Sequence, residues 1–267
     1  MDAMTPQQFL QEHLQQQARK VVPYQLHGRR VWVKAAGPST PWLLFRLLTM
    51  IIRWLGLAPL RPINNRGGAD AIAIESARLR TLGALGLPVP RLLASQTDGI
   101  LIEDLGQTSA SVNLHQALAT SQDTASRVSL LQQALDALAQ VHVRDSYLSQ
   151  AFARNMIFMP DGGIGFIDFE EDPGQDLTLA ECQARDVLCL IFSVSLFFAD
   201  ADSQRQVLPL FAGYLRRQSA DSRAASLTAM RKLGWLRHLP GNPAFGKDTV
   251  RAQATGALFK GLADQLT

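Results

Sequence analysis

The chain has 267 residues, 47% apolar and 18% charged, with 26 basic against 23 acidic side chains for a formal net charge of +3. That length and apolar share suit one large domain or two small lobes around a sizeable core, and they exclude a wholly disordered chain. The near balance of charge carries no nucleic-acid signature, so no nucleic acid is expected as a partner.

Residues 1–17 are rich in Gln and carry acids, without the basic start and apolar centre of a secretory signal; a cytoplasmic location is expected. Thr5 as N-cap and Pro6 at the first helical position predict a helix over 5–19. Residues 21–34 read as two short strands around a turn at His27-Gly28, the second being Arg30-Val31-Trp32-Val33-Lys34. Over 42–57 the only interruptions of an apolar run are Arg46, Thr49, Arg53 and Gly56, at helical spacing. The run is too short and too charged for a transmembrane helix of about 20 apolar residues. Two readings stay open. One is a helix lying in a membrane interface, arginines on anionic headgroups and Trp42, Phe45 and Trp54 inserted. The other is a helix buried between lobes, its arginines reaching out or paired.

A loop at 61–68 leads to a helix over 69–85 containing Glu75, then to strands at 91–94 and 99–104 and a connector at Leu105-Gly106. Beyond it the pattern is helical (110–120, 124–143, 181–199, 203–217, 221–233 and 248–265), interrupted by one hairpin over 154–170. Strands with one helix, then helices around a hairpin, predict an α+β protein of two lobes, 1–105 and 106–267. The two cysteines, Cys182 and Cys189, are seven residues apart on an apolar helix. At ~1.5 Å per residue they lie roughly 10 Å apart, too far for a disulfide, and reduced buried thiols are expected. Nothing in the Cys and His spacing suggests zinc.

The hairpin is the most specific feature. Arg154-Asn155-Met156-Ile157-Phe158 reads as one strand, Asp161-Gly162-Gly163 as a turn, and Ile164-Gly165-Phe166-Ile167-Asp168-Phe169-Glu170 as a second strand ending in carboxylates. Asn155 and Asp168 lie at its two ends, thirteen residues apart. Two such oxygen ligands suit Mg²⁺, a hard cation that takes few protein oxygens and completes its shell with phosphate oxygens and water.

This hairpin, with Val31-Trp32-Val33-Lys34, Ala73-Ile74-Glu75-Ser76-Ala77-Arg78-Leu79 and Ile100-Leu101-Ile102-Glu103-Asp104-Leu105-Gly106 in the same order, resembles the protein-kinase-like superfamily on its bacterial side: aminoglycoside phosphotransferases, RIO kinases and lipopolysaccharide-core kinases. The resemblance spans about residues 31–199. It implies a two-lobed fold with a truncated N-lobe sheet and a mostly helical C-lobe. It implies ATP and Mg²⁺ as cofactors, Lys34 on the nucleotide phosphates, Glu75 as its partner, and Glu103 in the segment against which the adenine packs. Asn155 and Asp168 would be the metal ligands, and Asp186, in Ala184-Arg185-Asp186-Val187-Leu188, would hold the backbone of the catalytic loop.

The chain departs from that pattern twice. Where the family has His-Gly-Asp ahead of the metal-binding Asn, this chain has Leu148-Ser149-Gln150. Gln150 can orient an acceptor hydroxyl but is no base near neutral pH; Asp145 is the nearby carboxylate that could serve if the loop folds differently. The glycine-rich loop is also missing, since Gly28 is the only glycine between Val21 and Lys34. Three functions follow. The first is a phosphotransferase at the cytoplasmic face of the inner membrane, acting on a lipid-linked sugar such as lipopolysaccharide core, with an anionic membrane surface or lipid-linked glycan as partner. The second is a catalytically impaired pseudokinase that binds or regulates. The third is a soluble small-molecule kinase.

Overall fold

A computed structural model describes residues 4–37, 56–63, 67–107, 111–242, 244 and 246–266. The chain is α+β and divides into two compact units. Unit 1 comprises Met1–Thr49, Pro62–Ser111 and Ile157–Pro173, and unit 2 comprises Met50–Arg61, Val112–Met156 and Gly174–Thr267. The helix expected over 42–57 lies outside the described residues except for Gly56 and Leu57. Among the described residues no helix is long and apolar enough to cross a membrane.

Unit 1 opens with helix α1, Pro6–Gln16. Thr5 caps it by accepting from the Gln8 backbone N–H while the Gln8 side chain returns to the Thr5 N–H, so two otherwise unpaired donors are satisfied reciprocally. Strands β1 (Val21–Leu26) and β2 (Arg29–Ala35) follow. The two residues between them, His27 and Gly28, have φ of 51° and 76°. Left-handed backbone at both central positions makes the tight hairpin turn whose twist matches its strands, and Gly at the second lowers its cost. The turn fixes the register, which pairs Val21 with Lys34.

Helix α2 (Gly68–Ala84) leads to β3 (Leu92–Gln96) and β4 (Gly99–Glu103). The antiparallel sheet runs β1-β2-β4-β3, with Lys34 opposite Ile100. Alternation along β2 sends Val31 and Val33 to one face, where they pack with Phe9 and Leu10 of α1 and with Leu26, Ala94 and Leu101. Lys34 therefore belongs to the other face.

The last piece of unit 1 comes from the hairpin of β5 (Met156–Phe158) and β6 (Ile164–Phe166). Residues 157–173 group with unit 1, not with the helical part that follows, so the division differs from a single cut near Gly106. The reason is local: the Phe166 N–H donates to the Pro88 carbonyl at 2.9 Å. A Cβ on Gly165 would stand 3.0 Å from that same carbonyl oxygen and 2.7 Å from Leu105, so only glycine lets the strand approach this closely.

Unit 2 contains α3 (Leu114–Thr120), α4 (Thr124–His142), α5 (Leu179–Val194), α6 (Ala201–Arg217), α7 (Ala220–Leu233) and α8 (Lys247–Gln265). Residues 182–191 of α5 are buried all round, so α5 is the central helix of this unit. It packs on α7, which packs on α8, while α4 packs on α6. Cys182 and Cys189 are buried free thiols on α5. The helix starts two residues before the expected Glu181 because Thr178 and Glu181 form a reciprocal cap. It gives way to a 3-10 turn at Ser195–Phe198, where the Ser193 and Ser195 hydroxyls donate back to the Leu190 and Phe192 carbonyls and so compete with regular helix bonds.

Leu10 is fully buried between α1 and the sheet. Leu10→Ala is expected to cost about 2–5 kcal/mol, measured as a shift of the urea midpoint at constant slope; a midpoint unchanged from wild type would mean that α1 does not complete this core.

Candidate functional site

On the face of the unit 1 sheet opposite α1, β2 carries a buried lysine one residue before its end. Lys34 is 7% exposed, and Glu75, on the second turn of α2, is 2% exposed. The Lys34 Nζ lies 2.9 Å from Glu75 Oε1 and 2.8 Å from Oε2. The same ammonium donates to Asp168 Oδ1 at 3.2 Å and lies 2.8 Å from Glu170 Oε1. Lys20, just before β1, donates to Glu170 Oε1 at 2.6 Å. Three carboxylates, those of Glu75, Asp168 and Glu170, thus face two ammonium groups among the described residues.

Burial by itself would push the Lys34 ammonium down, but Glu75, Asp168 and Glu170 more than reverse it and hold its pKa above the usual lysine range. Burial raises the Glu75 carboxyl above its ordinary value, with Lys34 opposing. Burial also works against the Glu170 carboxylate, yet Lys34 and Lys20 prevail and hold it below the ordinary range. A lone charge at the Lys34 position would be costly; three carboxylates make it tolerable.

Asp168 differs from its neighbours in two ways. Its φ is 73°, a left-handed backbone that few non-glycine residues adopt and that recurs at functional sites. Its side chain is 40% exposed, the most open of the three carboxylates. It is the one able to take a further cation without being dug out of the core.

Glu103 is not brought to this cluster. It pairs across the sheet with Val31, on the α1 side of the strand, and its carboxylate is held by Arg29 at 2.7 Å and Arg91 at 3.1 Å.

Unit 2 holds the other expected residues. The loop after α4 is clamped by two neighbours on α5. The buried Asp186 carboxylate accepts from the Leu148 N–H at 2.6 Å, the bond to the loop backbone that the resemblance implied for this residue. Arg185, also buried, donates from Nε to the Ser149 carbonyl at 3.0 Å and from Nη1 to the Arg61 and Pro59 carbonyls. Between these two holds Ser149 has a φ of 83°. The Ser149 backbone thus adopts the conformation that glycine accepts most readily. Asp186 is further tied to His142 Nε2 at 3.3 Å, and His142 Nδ1 to the Tyr214 hydroxyl at 2.7 Å. Burial, then the Asp186 charge, raises that phenol well above its ordinary pKa.

Asn155 is buried, and its Nδ2 donates to the Gln150 carbonyl at 3.2 Å. The amide oxygen is then what remains to offer a cation. Gln150 is partly exposed. Asp145, exposed with a φ of 50°, lines a cavity of about 370 Å³ with His142, Gln183, Arg217 and Ser222, and neither Gln150 nor Asn155 lines it. Within unit 2, therefore, Asn155 and Gln150 are brought together and Asp145 stands apart. Among the described residues no group of three or more His, Cys, Asp or Glu side chains is arranged as a metal cage. Mg²⁺ does not require one, since it is commonly bound by one or two carboxylates plus phosphate and water.

Sequence reasoning missed Lys20, Glu170 and Arg185. Folding the hairpin at His27-Gly28 would have brought Lys20 opposite Ala35, whose N–H donates to the Lys20 carbonyl. From the sequence, Glu170 is only the last residue of the second hairpin strand.

No protein-family model matches this chain, and no curated protein matches it.

Lys34→Met leaves Glu75 buried against two other carboxylates. It is expected to cost about 3–5 kcal/mol in urea denaturation, and Lys34→Met/Glu75→Gln should recover part of that loss. If the double variant were as unstable as the sum of the single ones, the pairing would carry no coupling energy.

Proposed function

We propose that the chain is a Mg²⁺-dependent phosphotransferase of the protein-kinase-like kind, using ATP and acting on a hydroxyl of a lipid-linked sugar at a membrane surface. The observation that carries this reading is the buried ammonium of Lys34, held by Glu75 and shared with the half-open carboxylate of Asp168. An ammonium fixed on a strand by a buried carboxylate is preorganised for phosphate oxygens, and phosphoryl transfer is mostly positioning and electrostatics. Asp168 would hold Mg²⁺, which when bound neutralises charge on the phosphates and orients them.

Lys34 binds phosphate oxygens and Glu75 keeps Lys34 in place. Gln150, on the loop clamped by Arg185 and Asp186, orients the acceptor hydroxyl by hydrogen bonding. It takes no proton, which costs a factor of about 10²–10⁴ relative to a carboxylate. The lipid-linked acceptor is supported by the sequence over 42–57, whose arginine stripe and tryptophans suit an anionic interface.

Gln150 favours a second reading, a nucleotide-binding protein of the same kind that has lost transfer. Thermal unfolding with millimolar Mg-ATP tests both. Wild type should be stabilised by several degrees, and Asp168→Ala should lose most of that shift. Equal shifts in the two proteins would remove the metal role of Asp168, and no shift in either would remove the nucleotide. Given binding, transfer of labelled γ-phosphate to a membrane glycolipid fraction separates enzyme from binder. Flotation with anionic vesicles but not with neutral ones is the result expected for the membrane surface.

A further inference from the structure

Glu170 is a third anion on an ammonium that already has two. Lys34 is matched by Glu75 at 2.8 Å and by Asp168 at 3.2 Å, so Glu170 is not needed to neutralise it. What Glu170 does is place one oxygen, Oε1, between two ammonium groups, 2.6 Å from Lys20 and 2.8 Å from Lys34. A single anionic oxygen shared by two ammonium groups is the arrangement that a phosphate oxygen takes between point-charge donors.

The surroundings are built for the same end. The Lys20 side chain lies over Gly37, where an added Cβ would come within 2.8 Å of both its Cε and its Nζ, so the absence of a side chain at 37 leaves the path open. Lys20 is 42% exposed, so the clamp is reachable from solvent. Glu170 sits in a segment, 167–172, that belongs to no helix or strand, so its departure breaks no ladder.

We propose that Lys20 and Lys34 form a two-lysine phosphate clamp, with the Glu170 carboxylate as a resident stand-in that a metal-bound polyphosphate displaces. Lys20 then supplies the second phosphate contact that a glycine-rich loop would otherwise give. The clamp deepens the phosphotransferase reading and rests on it for the identity of the polyphosphate as a nucleotide.

The test is calorimetric titration of the full chain with Mg-ATP, Mg-tripolyphosphate and adenosine. Glu170→Gln should tighten Mg-ATP roughly tenfold, the scale of one charge-assisted hydrogen bond. Glu170→Asp, which keeps the charge but withdraws it by one methylene, should tighten it less. Lys20→Met should weaken Mg-ATP about tenfold, and adenosine should be indifferent to all three. Glu171→Gln makes the same charge change one residue along and should shift affinity less than about threefold. If Glu170→Gln does not fold, Glu170→Asp and Lys20→Met still decide. Mg-ATP binding unchanged by Lys20→Met and by the Glu170 variants overturns the clamp and leaves the phosphotransferase reading standing. Tripolyphosphate following the expected pattern while ATP binds no tighter supports the clamp and overturns the nucleotide. An effect of Glu171→Gln equal to that of Glu170→Gln overturns the stand-in role, and failure of both polyphosphates to bind any variant overturns both ideas.

Discussion

The structure of unit 1 turns on one buried ammonium. Lys34 sits at the end of a central strand, where water is excluded and an unpaired charge would cost several kcal/mol, on the order of what holds a whole domain together. Each element around it is placed so that a carboxylate arrives. The hairpin at His27-Gly28 sets the register of β2, α2 lays Glu75 against the sheet, and the close approach at Gly165 brings in the segment that carries Asp168 and Glu170. The face of the sheet under α1 buries an apolar core, and the opposite face carries the charged cluster. Replacing such a cluster with well-packed apolar side chains can be neutral or stabilising.

Unit 2 solves a different problem, that of holding an irregular loop still. The loop at 148–150 has no ladder of its own, and Ser149 takes a backbone conformation that costs free energy. Two consecutive residues of the most buried helix, Arg185 and Asp186, meet it with opposite polarity, one donating to a carbonyl and the other accepting from an N–H. The Asp186 carboxylate is in turn fixed by His142, and His142 by Tyr214, so the clamp is anchored in the helical core.

Much of this was legible in the chain. Thr5 and Pro6 marked the first helix, His27-Gly28 the hairpin turn, and the order of Lys34, Glu75, Asn155 and Asp168 marked the residues worth watching. What stayed hidden depends on tertiary reach. Lys20 and Glu170 are 150 residues apart, and only the close approach of the 157–173 segment to the sheet lets their long side chains meet. Helix ends slipped where side chains compete with the backbone, as at Ser193 and Ser195, or where a cap went unread, as at Thr178. The resemblance put Glu103 in the segment against which adenine packs; its side chain lies on the α1 side of the sheet, held by two arginines. The grouping of the hairpin with unit 1 could not be read from composition, because it rests on a backbone contact between Phe166 and Pro88.

The clamp on Ser149 has a consequence for the residue beside it. Arg185 and Asp186 grip main-chain atoms of residues 148 and 149, and the Asn155 amide reaches the carbonyl of Gln150. None of these holds touches the side chain at position 150. The shape of the loop is therefore set through its main chain, by three bonds that a different side chain at position 150 would leave in place.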